Sequence, residues 1–194
     1  MALLSASASL VRERRRRGFA LPVLLAAVLL LGGLPGAAAQ TGSMEYRVKA
    51  AMLFNFTRFM VWPEDGRSRL RLCVTGDDPF GPALAGLDGK ETRGRELEIR
   101  RVQDPSALAH CHMLFIADSA HARIPGILAR VARDPVVTVS EHEGFVEQGG
   151  TVELRVMEGK VRFEINADAA EHEGITISSK LLRLARRVHG GGAP

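Results

Sequence analysis

The sequence has 194 residues, 46% of them hydrophobic, with 26 Lys+Arg against 22 Asp+Glu and a formal net charge of +4. The excess of positive charge sits in the first 39 residues, whose five arginines and one glutamate, once set aside, leave 21 basic and 21 acidic residues. The basic balance therefore gives no ground for a nucleic-acid partner, and the remaining chain suits one domain with a real core but not two.

Arg12, Arg14, Arg15, Arg16 and Arg17 form a positive start, and Phe19 to Leu31 is apolar apart from Pro22. That run is short for a bilayer crossing of about 20 residues but suits the core of a secretory signal. Ala37, Ala38 and Ala39 supply small residues for cleavage before Gln40, where no cysteine provides a lipid anchor. Arg16 and Arg17 before Gly18 and Phe19 resemble a twin-arginine opening, a match that a run of arginines produces easily, so ordinary Sec export is the simpler reading. The expectation is a cleavable signal over residues 1–39, one domain over 40–189, and a disordered Gly-rich tail over 190–194. The working protein is expected in the periplasm, with no membrane insertion after cleavage.

Residues 45–61 are expected to be a helix, with Val48, Met52, Phe56 and Phe59 inward and Lys49 and Arg58 in solvent, stopped by Pro63. A strand follows from Leu70 to Thr75, then a short helix or turn over Pro79 to Leu87 and a second strand from Arg95 to Val102. Asp104 and Pro105 open a short helix to His110. HMLFIAD reads as a central strand covered on both faces, residues 120–132 as a helix, and Val136 to Ser140 as a fourth strand. This alternation predicts parallel strands joined by right-handed crossovers. After Gly149 and Gly150, TVELRVMEGKVRFEIN reads as a β-hairpin turning at Glu158 and Gly159. Asn166 or Asp168 caps the next segment, and Ser178 to Val188 is expected as an amphipathic terminal helix with Lys180, Arg183, Arg186 and Arg187 on its wet face. The fold class is α/β: a mixed, largely parallel sheet flanked by helices, with a C-terminal β-hairpin and terminal helix.

Cys73 and Cys111 are the two cysteines of the chain. An oxidising compartment favours their joining, the alternative being two buried free thiols, and without a CxxC spacing neither a redox motif nor a zinc knuckle is indicated. GDDPFG, Gly76 to Gly81, follows the first strand but lacks the Lys and Ser or Thr of a phosphate loop. Two EHEG segments, at Glu141 and Glu171, fail the HExxH pattern because Val146 stands where the second His belongs, and both read as solvated turns. His110 and His112 flank Cys111 and could serve together as ligands only without the bridge. Ser178 and Ser179 directly precede Lys180, so the SxxK spacing is missing. The residues thus point to no metal, no cofactor and no enzyme, a hydrolase being the remote third reading.

The segments YRVKAAMLFNFTRFMVWP, LRLCVTGDDPFG, HCHMLFIADS, the Gly pair before the hairpin, VRFEIN and ISSKLLRLARRV together resemble the YfiR family of bacterial periplasmic proteins, over residues 46–188. The resemblance implies a compact, often dimeric α/β protein that binds the periplasmic part of an inner-membrane diguanylate cyclase and represses it, keeping cyclic di-GMP and biofilm formation low. It also places the family's disulfide on Cys73 and Cys111, while the second cysteine pair of some relatives is missing. The family's association of partner binding with the C-terminal region points to Glu164, Ile175, Arg183 and Arg187, while Phe163, Ile165 and Leu181 read as core. The alternative reading is a periplasmic small-ligand sensor serving another membrane receptor or kinase.

Overall fold

The computed structural model describes residues 37–191. Most of the expected signal, residues 1–36, and the last three residues of the tail lie outside that range. The chain divides into compact units after Gln40, and the second unit, from Thr41 onward, carries the sheet and its helical layers.

Helix α1 (Ala37–Phe59) passes directly into the two-residue strand β1 (Met60–Val61). Then come β2 (Arg69–Thr75), the single turn α2 (Pro82–Ala85), β3 (Glu91–Thr92) and β4 (Arg95–Arg101). A 3-10 turn over Pro105–His110 is capped by the Asp104 side chain, which accepts from the Ser106 amide. β5 (Met113–Ile116) leads through a second 3-10 turn (Asp118–Arg123) into α3 (Ile124–Val131) and β6 (Val137–Ser140). The hairpin is β7 (Val152–Met157) and β8 (Lys160–Asn166), and the Asn166 side chain caps α4 (Ala167–His172). β9 (Thr176–Ile177), the turn α5 (Ser179–Leu182) and β10 (Arg187–His189) complete the described chain.

Eight strands form one sheet in the order β10-β8-β7-β6-β5-β2-β4-β3. β4, β2, β5, β6 and β7 run parallel; β8 is antiparallel to β7 and parallel to β10, and β3 is antiparallel to β4. The period of two along each strand splits the core. Leu70, Leu72 and Val74 of β2, with Met113 and Phe115 of β5, pack against Leu53 and Phe56 of α1. Cys73, Leu114 and Ile116 pack on the opposite face against Ile124, Ile127 and Val131 of α3. The chain is thus a mixed α/β sheet between helical layers, as its sequence pattern implies.

Three local expectations need correction. First, α1 presents a different face: Lys49 is buried and Val48 is 41% exposed. The inner stripe runs through Lys49, Ala50, Leu53, Phe56 and Thr57, and two polar members hide its phase. Lys49 tolerates burial because Glu45 and Glu141 both pair with it, and Thr57 bonds the Phe54 carbonyl and the Thr92 hydroxyl. Second, Met60 and Val61 are strand, pairing antiparallel with Ile177 and Thr176 in a small separate ribbon.

Third, the terminal helix is a single turn. The Ser178 hydroxyl caps it by accepting from the Leu181 amide, and Leu181 enters the core. Leu184, which a longer helix would turn inward, is 63% exposed. The Arg186 amide then bonds the Phe163 carbonyl, and Arg187 to His189 lie parallel along Glu164 to Asn166. The open edge of β8 and the buried Glu164 carboxylate, which needs cationic partners, outweigh helix propensity here. Beyond β10, Gly190 and Gly191 both hold positive φ, and the Gly191 amide bonds the Asp168 carboxylate.

Candidate functional site

The sheet changes winding direction between β2 and β5, where open α/β sheets usually form a ligand crevice at the strands' carboxyl ends. Here the two loops close on each other. The Asp77 amide donates to the Ser119 hydroxyl at 2.7 Å, and a Cβ on Gly76 would stand 2.7 Å from that same oxygen. Only glycine fits there, with φ at 87°. Beside the closed loops, a cleft of about 460 Å³ is lined by Glu45, Tyr46, Lys49, Glu141 and Arg155, among others. Its charges are already matched: Tyr46 donates to Glu141, Lys49 pairs with Glu45 and Glu141, and Arg155 pairs with Glu143. Burial and the adjacent Glu141 carboxylate push the Tyr46 hydroxyl well above its usual titration range, so it stays a neutral donor.

The EHEG segments are less solvated than their composition implies. Glu141 anchors α1 through Lys49 and Tyr46, while His142 stacks on His121 with ring centroids 5.5 Å apart. In the second segment, Glu173 is partly buried and accepts from the Thr151 hydroxyl at 3.2 Å. Without an opposite charge beside it, burial pushes its carboxyl up to about 8.

Cys73 and Cys111 are joined in a disulfide, with their Cα atoms 5.9 Å apart. The bridge ties β2 to the start of β5. Next to it His112 is buried; its Nδ1 accepts from the Arg71 amide, which places the proton on Nε2 for donation to Asp65 at 2.8 Å. Burial holds its pKa below the ordinary value, against the pull of Asp65. His110 is exposed, its carbonyl accepting from Arg67, so the two histidines do not converge.

At the C-terminal edge, Glu164 and Ile175 are both 4% exposed. This corrects the expectation of a surface glutamate. Glu164 receives Arg186 on one oxygen and the His189 Nε2 on the other, the latter at 2.8 Å. Burial pulls its pKa upward, but these two hydrogen bonds, with the charges of Arg186 and Arg187, outweigh it and hold the carboxyl below the usual range. Glu164 thus fastens β10 to the sheet, and Ile175 is core. Arg183 and Arg187 are exposed, flanking exposed Leu184, and neither has an ion pair among the described residues. Glu147, Glu164 and His189 are the one group of the described residues whose ligand atoms come close enough for a metal, within 4.8 Å of one another. The guanidinium of Arg186 already on Glu164 opposes a second cation there. No helix among the described residues is long and apolar enough to cross a membrane.

A conserved domain protein from Vibrio cholerae O1 biovar El Tor has a solved structure 13% identical to the chain, with a TM-score of 0.48. The match covers 74% of this chain and 60% of that one. The ABC domain in complex with L-Trp from Streptococcus pneumoniae is 11% identical, with a TM-score of 0.46 and the same coverage. The chain thus spans less than two thirds of either protein. Residues 46–186 match the YfiR/HmsC-like family, and the chain belongs to it.

Proposed function

We propose that this member of the YfiR/HmsC-like family is a periplasmic, non-enzymatic regulator that binds the periplasmic part of an inner-membrane diguanylate cyclase and represses it, lowering cyclic di-GMP and biofilm formation. The observation that carries the reading is the family match over residues 46–186. The Cys73–Cys111 bridge supports an oxidising compartment.

Repression by occupancy needs an accessible surface, and Arg183, Leu184 and Arg187 supply one beside the lock formed by Glu164. Exposed charges steer association and set its register, so their reversal opposes a partner selected for the original sign. Glu164 and Ile175 act on that surface indirectly, by holding β10 and the preceding turn in place. A homodimer through the same edge is a competing use of the surface. Photo-crosslinking side chains placed at 183 and 187 in the exported protein decide between them. The expected adduct joins this chain to an inner-membrane protein with a cytoplasmic diguanylate cyclase domain. Adducts only with further copies of this chain, or with nothing, would overturn the placement.

A further inference from the structure

Glu173 stands apart from the other buried or half-buried glutamates of the fold. Glu98 is paired with Arg71 and Arg100, Glu141 with Lys49, Glu153 with Arg155, and Glu164 with Arg186 and His189. Glu173 has no basic partner among the described residues. Its one hydrogen bond comes from Thr151, at the end of a buried chain in which the hydroxyls of Thr138 and Thr151 lie 3.1 Å apart. That bond fixes Oε2, and Oε1 has no partner among the described residues.

The carboxyl lines a cleft of about 360 Å³ between α3 and α4. Pro125, Leu128, Ala129 and Ala132 give it an aliphatic wall, and Gln148 and His172 are the polar side chains at its rim. An apolar wall with a single partly buried acid lacking a counter-charge among the described residues is complementary to a small cation with an apolar body. We propose that the cleft between α3 and α4 binds a small alkylammonium cation, with the Glu173 carboxylate as its counter-ion and the aliphatic wall covering its chain. The ammonium supplies the missing charge and a donor for Oε1. An anionic ligand finds no cationic group in the aliphatic wall, and a neutral one supplies no charge to balance the acid once it ionises.

The site also couples binding to a proton. With its pKa near 8, Glu173 holds a proton at neutral pH when the cleft is empty. The arriving cation favours the ionised form, so that proton passes to solvent as the ion pair forms. His172 is the other titratable side chain on the cleft.

The test is calorimetric and NMR titration of the full exported protein with n-butylammonium chloride, with sodium butyrate and 1-butanol as shape controls. An alkylammonium keeps its charge to about pH 10. Saturable binding is expected with a dissociation constant of about millimolar order, as suits so few atoms. Affinity should rise by up to about tenfold per pH unit towards pH 8 and then level off, with protons released to the buffer. Glu173→Gln, which keeps the shape, should weaken butylammonium by about tenfold or more. Ala129→Trp should block the cleft while leaving the melting temperature unchanged. Absence of saturable binding, equal binding by Glu173→Gln, or 1-butanol binding as well as butylammonium would each overturn the proposal.

Discussion

The centre of the sheet and its β10 edge are held by different forces. Around β2, β5 and β6, apolar side chains fill both faces and a disulfide crosses between strands, so Leu72, Met113, Leu114, Phe115 and Val139 lose all contact with water. Around β7, β8 and β10, buried charges carry the register: Glu153 accepts from the Phe145 amide, and Glu164 accepts from Arg186 and His189. Hydrophobic burial is indifferent to pH, whereas paired carboxylates are not. The first region suits a permanent scaffold. The second suits a surface whose order depends on its partners and on the solution around it.

Phe115→Ala in the scaffold should have the largest effect, about 3–5 kcal/mol of unfolding free energy, measured by denaturant titration. Breaking the bridge with Cys73→Ser should cost about 4 kcal/mol, since it closes a loop of 38 residues. If either change leaves stability intact, the scaffold does not rest on this core. In the second region, Gly150→Ala would set a Cβ 2.1 Å from the Phe145 ring and should cost about 1–3 kcal/mol. Glu164→Ala should detach β10 locally: amide exchange at Arg187 to His189 becomes fast while β5 stays protected. Loss of protection in β5 as well would show that the two regions do not unfold separately.

Acid and base separate two carboxyls within the second region. Glu164 has a depressed pKa, so its stabilisation is complete above the ordinary carboxylate range and is lost as pH falls from that range through the lower folded-state value. Glu173 has a raised pKa, so the folded state holds an extra proton and stability falls as pH rises from the ordinary carboxylate range to about 8. Thermal melts from pH 5 to 8 should therefore slope downward more steeply in the wild type than in Glu173→Gln. Parallel slopes would contradict the burial of that carboxyl. The smallest effect on stability belongs to Arg183→Glu, within about 0.5 kcal/mol at an exposed site without an ion pair among the described residues, whereas Arg187→Glu also removes a cation beside Glu164.

The scaffold is legible in the sequence because apolar alternation and short strand-to-helix spacings report it directly. Leu70, Leu72 and Val74 mark one face of β2, and the turn at Glu158 and Gly159, both at positive φ, sits where the hairpin pattern puts it. The second region is harder to read because polar residues occupy buried positions there. Glu164 reads as a surface residue because its partners Arg186 and His189 come from a separate segment, and within the scaffold Lys49 disguises the inner face of α1 in the same way. Arg183 to Val188 carry a helical stripe, yet Glu164 and the open edge of β8 draw Arg187 to His189 into a strand. A glutamate flanked by Phe163 and Ile165, with basic residues downstream, is the signal that could reveal the lock. For Glu173, repetition of EHEG suggests two equivalent turns, and only tertiary packing distinguishes them.

Repression through the surface beside β10 is tested most directly by cellular cyclic di-GMP in a deletion strain complemented with the wild type or with Arg183→Glu and Arg187→Glu together, at matched periplasmic abundance. Deletion should raise cyclic di-GMP, the wild type should restore the low level, and the double variant should leave it high at the same abundance. A deletion that leaves cyclic di-GMP unchanged would contradict regulation of a cyclase. A double variant that represses fully would contradict the contact surface alone.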